Sequence, residues 1–172
     1  MSFRIYDAAA PIFLQALETM PAWLDKALAE GKSEAALMEA RLAPDMRPLP
    51  AQFQIASDSA KGAIARLAGV EAPAMADTEA SFADLKTRCD KTAAFIRSVS
   101  PEAMAGAESR EITLKFPNGM GYRLTGARFL TGFALPNFLF HVTTAYAILR
   151  KEGVAVGKAD FLQHMGQPIQ MD

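Results

Sequence analysis

Two side chains able to hold a metal or a ligand, Asn137 and His141, stand one helical turn apart in the apolar run Phe129 to Arg150. At a helical period, Phe133, Asn137, His141, Thr144 and Ile148 fall along one stripe. An imidazole nitrogen and a carboxamide oxygen are donor types found in divalent-metal sites and in small-molecule recognition. A stripe that served packing alone would be apolar throughout, whereas polar groups inside it require partners. Facing helices are where such sites are built, so Ser57 and Phe53, expected on the opposing helix, are read with Asn137, His141 and Thr144 as the lining of a ligand cleft. A metal reading adds carboxylates: His141 and Asn137 with Asp45 or Asp58, and His164 reaching in from the tail. The packing alternative has Asn137 and His141 bonded to each other, to Thr144 or to a buried water. By spacing Asp58 points away from the core stripe, which fits a solvated or salt-bridged carboxylate, and Asp45 fits a helix cap equally well.

Other chemistry-bearing residues have simpler readings. Cys89 lies on an apolar stripe and reads as a buried thiol, since reactive thiols need electropositive, accessible surroundings. Tyr146 and Arg150 are one turn apart and suit a cation–π pair or a rim contact. Gly153 to Ala159 falls one residue short of a phosphate loop, has Ala159 where a metal-binding hydroxyl belongs, and follows no strand. Neither a Gly-x-Ser-x-Gly elbow nor a His-Glu-x-x-His pair occurs, so the standard hydrolase motifs give no support.

The elements that must position these residues are helical. Ala9, Phe13, Leu17, Met20, Leu24 and Leu28 predict a helix over about 7–29, stopped by Gly31. Pro11 is harmless in its first turns, while Pro21 should kink or split it. A short helix is expected over 33–41, then a proline-rich connector, Ala43 to Pro50. A second long helix over 51–68 carries the stripe Phe53, Ala56, Ala60, Ile64 and Leu67, whose small residues suit close helix approach. A third, over 78–99, carries Phe82, Leu85, Cys89, Thr92 and Ile96, with Asp77 or Thr78 as cap. The pattern then alternates over Ile112–Phe116 and Met120–Leu124 around Pro117-Asn118-Gly119, a hairpin signal whose apolar face must rest on the helices. The fourth long helix, 126–151, has Pro136 inside it, which should kink it or open one backbone bond just before the Asn137–His141 pair. Gly153 ends it, and Phe161 and Leu162 are placed to fold the tail back. The fold class is therefore all-α: one domain over 1–172, a four-helix bundle with a small β-hairpin between the third and fourth long helices.

Composition bounds the functions. The 172 residues are 51% apolar and 22% charged with net charge -1, ordinary for a globular chain and without the basic footprint of a nucleic-acid binder. A single cysteine permits no intrachain disulfide, in keeping with a reducing, cytoplasmic setting. Asp7, Glu18 and Pro11 make the N-terminus a poor secretory signal. The segment 127–149 is long and apolar enough to raise a membrane span, but Arg128, Asn137 and His141 within it favour a buried bundle helix and no membrane partner.

The segment from Asn137 through His141 to Arg150, followed by Gly153 and by Gly157-Lys158-Ala159-Asp160-Phe161-Leu162, resembles the bacterial-type family known as domain of unknown function 1993. Asp45-Met-Arg-Pro-Leu-Pro50 and Ala51 to Asp58 resemble it as well, so the likeness spans nearly the whole chain. That family is grouped with the DinB/YfiT-like metalloenzyme-type proteins, which are four-helix bundles. Members of the wider group hold a divalent metal through three histidines, one on the second helix and an His-x-x-x-His pair on the fourth. The resemblance places Asn137 and His141 at that pair, and puts no histidine on the second helix, where Gln54, Ser57 and Asp58 are the nearby polar residues. With two histidines in the chain, a three-histidine site cannot form. Zinc and nickel prefer imidazole and thiolate to an amide oxygen, so the implied metal site is degenerate.

The expectation is a protein that binds a small, mostly apolar ligand in the inter-helix cleft. The alternatives are a metal-dependent transferase or hydrolase with a weakly held zinc or nickel ion, and a non-catalytic oligomer, most simply a homodimer, formed through an alanine-rich face. Whether the chain is an enzyme is left open at this stage.

Overall fold

The computed structural model describes residues 4–166 and 169–171. Its first helix, α1 (Ile5–Ala29), is continuous through both prolines. Pro21 therefore does not split it. Buried Met20, Trp23 and Leu24 flank the position, so tertiary packing outweighs the one backbone bond that proline removes. Gly31, at φ 72°, closes the end, where Lys32 N–H reaches back to Ala27 O at 3.0 Å. A short α2 (Glu34–Glu39) is capped by Ser33, and the proline-rich connector leads into α3 (Leu49–Ala68), which begins two residues before the predicted start.

Helix α4 (Phe82–Ser98) corrects the predicted third helix. Its cap is Ser81, whose hydroxyl accepts from Asp84 N–H, and not Asp77 or Thr78. Residues 70–81 instead form an irregular strap along the helices. Asp77 is absorbed there by an ion pair with Arg88, and Thr78 lines a cavity. After a 3-10 turn (Pro101–Met104), β1 (Glu111–Lys115) and β2 (Gly121–Thr125) form an antiparallel hairpin with Leu114 opposite Tyr122. Ile112 and Leu114 are buried, whereas Tyr122 and Met120 are 56% and 68% exposed. Only the first strand places its whole apolar face on the helices.

The last long segment is three pieces in one run: α5 (Gly126–Phe129), a π-helical turn (Leu130–Ala134) and α6 (Leu135–Lys151). In that turn Leu135 N–H bonds Leu130 O, one residue farther back than in an α-helix. The widened turn falls where Pro136 lacks a donor, so the opened backbone bond expected before Asn137 takes this form. By length and apolarity the stretch Gly126–Lys151 meets the requirement for crossing a bilayer, yet Phe129, Phe138, Val142 and Ile148 are core residues.

Helix α1 lies against α4 and α6, and α3 against the same two. The molecule is mostly helical, and Phe13, Trp23, Phe53, Phe82 and Phe138 fill the space between the long helices. Phe13 and Phe138 meet edge to face at 4.8 Å. The alanine stripe of α3, Ala56, Ala60 and Ala63, is at most 1% exposed and serves this packing. It is not an outward face. The chain then folds back through α7 (Lys158–Phe161), where Phe161 stacks on Trp23 at 5.6 Å and Trp23 Nε1–H donates to Asp160 O at 3.2 Å.

Candidate functional site

The seam between α3 and α6 gathers the polar residues of the last long helix. His141 Nδ1 lies 2.8 Å from Gln52 Oε1, and Asn137 Nδ2 donates to Ser59 Oγ at 2.7 Å. Residue numbers rise on α6 as they fall on α3, so the two helices run antiparallel. Asn137 and His141 are thus each bonded across the seam and not to one another. Gln52 and Ser59 are the partners that sequence spacing missed. Gln52 precedes the apolar stripe of α3 by one residue, and Ser59 sits beside Ala60. Both lie on the i, i+4, i+7 line Gln52–Ala56–Ser59, a second face of α3 that only the placement of α6 marks as inward.

The hydrogen bonds fix the chemistry of His141. Gln52 Nε2–H donates to Arg47 O at 2.8 Å, and a flipped amide would set two oxygens against each other. Gln52 Oε1 therefore faces the ring, and Nδ1 must carry the proton. The other nitrogen, Nε2, keeps its lone pair, and no partner meets it among the described residues. Burial lowers the pKa of the half-buried ring below its ordinary value, and the Arg47 charge lowers it further. Both effects favour the neutral form of the ring. Its ring meets the 56%-exposed Phe140 edge to face at 5.2 Å.

The remaining expected residues lie elsewhere. Ser57 faces α4, sharing a 2.7 Å hydrogen bond with Thr92 Oγ1. Asp58 pairs with Arg88 at 2.8 Å and Lys61 at 2.9 Å. Thr144 donates to Phe140 O on its own helix at 2.7 Å, and Phe53 is fully buried in the core. Asp45 is exposed in the connector and does not cap α3, whose first turn follows Pro48 without a side-chain cap. His164 is exposed in a 3-10 turn at Gln163–Met165. Tyr146 packs edge-on against Trp23 and Phe161. Among the described residues, no three His, Cys, Asp or Glu side chains are grouped so as to hold a metal ion.

A divalent ion does not fit the seam. Gln52 Oε1 is already taken by an N–H, Asn137 turns its NH2 group to Ser59, and the Arg47 charge stands close enough to depress imidazole protonation. The principal cavities, of about 670, 360 and 360 Å³, are lined by other residues.

A second polar cluster surrounds Arg88, only 2% exposed on α4. Its guanidinium meets Glu79 at 2.7 Å, Asp58 at 2.8 Å and Asp77 at 3.0 Å, and donates to Ala76 O at 3.1 Å. Burial works against the Glu79 carboxylate, but hydrogen bonds from Arg88 and Gln54 outweigh it and hold its pKa below the usual range.

The model for the family described as "Domain of unknown function (DUF1993)" matches residues 5–162. A solved structure titled as a DinB family member protein from Shewanella denitrificans is 36% identical, with 96% of each chain covered and a TM-score of 0.86. No curated protein matches the chain.

Proposed function

The chain belongs to the DUF1993 family, and we propose that it is a binding member of the DinB-like four-helix bundles, with a degenerate metal site. In this reading a small, mostly apolar ligand docks at the α3–α6 seam and donates an N–H or O–H to His141 Nε2. One observation carries it: Gln52 claims the Nδ1 proton and leaves a single lone pair, on Nε2, without a partner among the described residues. A hydrogen-bond acceptor beside an exposed aromatic edge suits a donor-bearing, apolar molecule. The nearby Arg47 charge disfavours cations, including divalent metals.

Phenol, an apolar ring with one O–H, is the simplest probe. Titrated into the protein and followed by NMR, it is expected to shift the His141 and Phe140 ring resonances, and His141→Phe should abolish the response. Shifts confined to other regions would contradict the reading. Calorimetry with zinc and nickel separates the enzymatic alternative. Stoichiometric binding that disappears in His141→Ala would favour a metal-dependent transferase or hydrolase and overturn the ligand-binding assignment.

A further inference from the structure

The strap over 70–81 is fastened by side chains from both neighbouring helices. Lys61 Nζ donates to Pro73 O at 3.0 Å, Gln54 Nε2 to Glu79 at 2.8 Å, and Arg88 to Ala76 O at 3.1 Å. Between this strap and one face of α4 lies the cavity of about 670 Å³. Its volume is in the range of small-molecule sites, about 300–1,000 Å³. Pro73, Met75 and Phe95 give it an apolar wall, and Thr87, Arg88 and Lys91 a polar one.

Two groups on the polar wall lack acceptors. Arg88 Nε is buried with no hydrogen-bond partner, although both terminal nitrogens of the same guanidinium are engaged. A buried N–H left unpaired carries the desolvation penalty of the group, which an oxygen reaching it after a small side-chain shift would relieve. Lys91 has no carboxylate within ion-pair distance among the described residues, whereas Asp84 on the same wall is held by Ser81 and Ala80 N–H. The three carboxylates facing Arg88 are paired with it and with Lys61, three negative charges against two positive.

We propose that this cavity is a binding site for a small apolar monocarboxylate, its chain against Met75 and Phe95 and its carboxylate toward Lys91 and the Arg88 side of the floor. The site is separate from the His141 seam and stands whether or not that seam binds a ligand. Octanoate and 1-octanol, matched in length and differing in the head group, test it by NMR titration of the full chain. Octanoate is expected to shift Thr87, Lys91 and Phe95 resonances while leaving His141 unmoved. 1-Octanol should bind about tenfold more weakly, and Lys91→Gln should weaken octanoate by about the same factor. Equal affinity for the two probes, an unchanged octanoate affinity in Lys91→Gln, shifts at His141 in place of Thr87, or no saturable binding would each overturn the proposal. Lys91 is exposed and its substitution leaves the core intact, so a loss of binding there is not a loss of fold.

Discussion

At the scale of single residues, His141 is governed by one hydrogen bond. Because its folded pKa lies below the ordinary value, the folded state binds fewer protons than the unfolded chain as pH falls past about 6.5. The contribution of His141 is therefore complete above that value and is lost as pH falls through the folded pKa. Denaturant melts of the protein and of His141→Phe should diverge in pH dependence across that window, the variant lacking the His141 component. Cys89 behaves oppositely in kind: burial pushes its thiol pKa up to about 12, so almost no thiolate exists near neutrality. Iodoacetamide should leave Cys89 unmodified in the folded protein and alkylate it readily in denaturant. Rapid modification under native conditions would show that the third-helix stripe opens. The placement of Cys89 follows from sequence period alone, because an apolar stripe needs no knowledge of its partner. Gln52 and Ser59 were not legible in this way, since a polar residue beside an apolar stripe reveals its role only when the facing helix is in place.

At the scale of elements, the strap and the π-helical turn are where sequence pattern and structure part. Asp77 and Thr78 have good capping chemistry, but Arg88 competes for the strap carboxylates and Ser81 takes the cap. A buried guanidinium outbids a local cap because each of its charge-assisted bonds is worth more than a neutral one. Removing the guanidinium leaves three carboxylates facing one another, with the Glu79 side chain mostly covered. Arg88→Ala is expected to destabilise the protein by about 3 kcal/mol, whereas Arg88→Met, which keeps much of the volume, should still cost a large share because the mostly covered Glu79 side chain loses its cation. Hydrogen exchange in 70–81 should rise in both variants. Unchanged protection there would mean that the strap is held by its apolar contacts instead. Pro136 was legible as a break in the backbone ladder, but its resolution as a widened turn depends on core residues Leu130, Ala134 and Phe138, which keep the run in register.

At the scale of the whole molecule, the long helices and their buried stripes follow from period-3.6 patterning and stop signals, and the solved DinB family member shares the fold. The tail is tied to this body by aromatic stacking. Phe161→Ala removes its contact with Trp23 and Tyr146 and should cost about 2 kcal/mol, with a change in Trp23 emission as the local readout. What pattern alone did not reveal is how the helices face one another, and that arrangement turns Asn137 and His141 from a candidate pair into two separate cross-seam bonds. Ligand binding at the seam depends most directly on the state in which the ring of His141 is held. Long-range proton–nitrogen NMR across about pH 5 to 8 reads both its tautomer and its titration directly. The expected result is a proton on Nδ1, an unprotonated Nε2 at neutral pH, and a midpoint below the ordinary histidine value. A proton on Nε2, or a midpoint raised above that value, would contradict it.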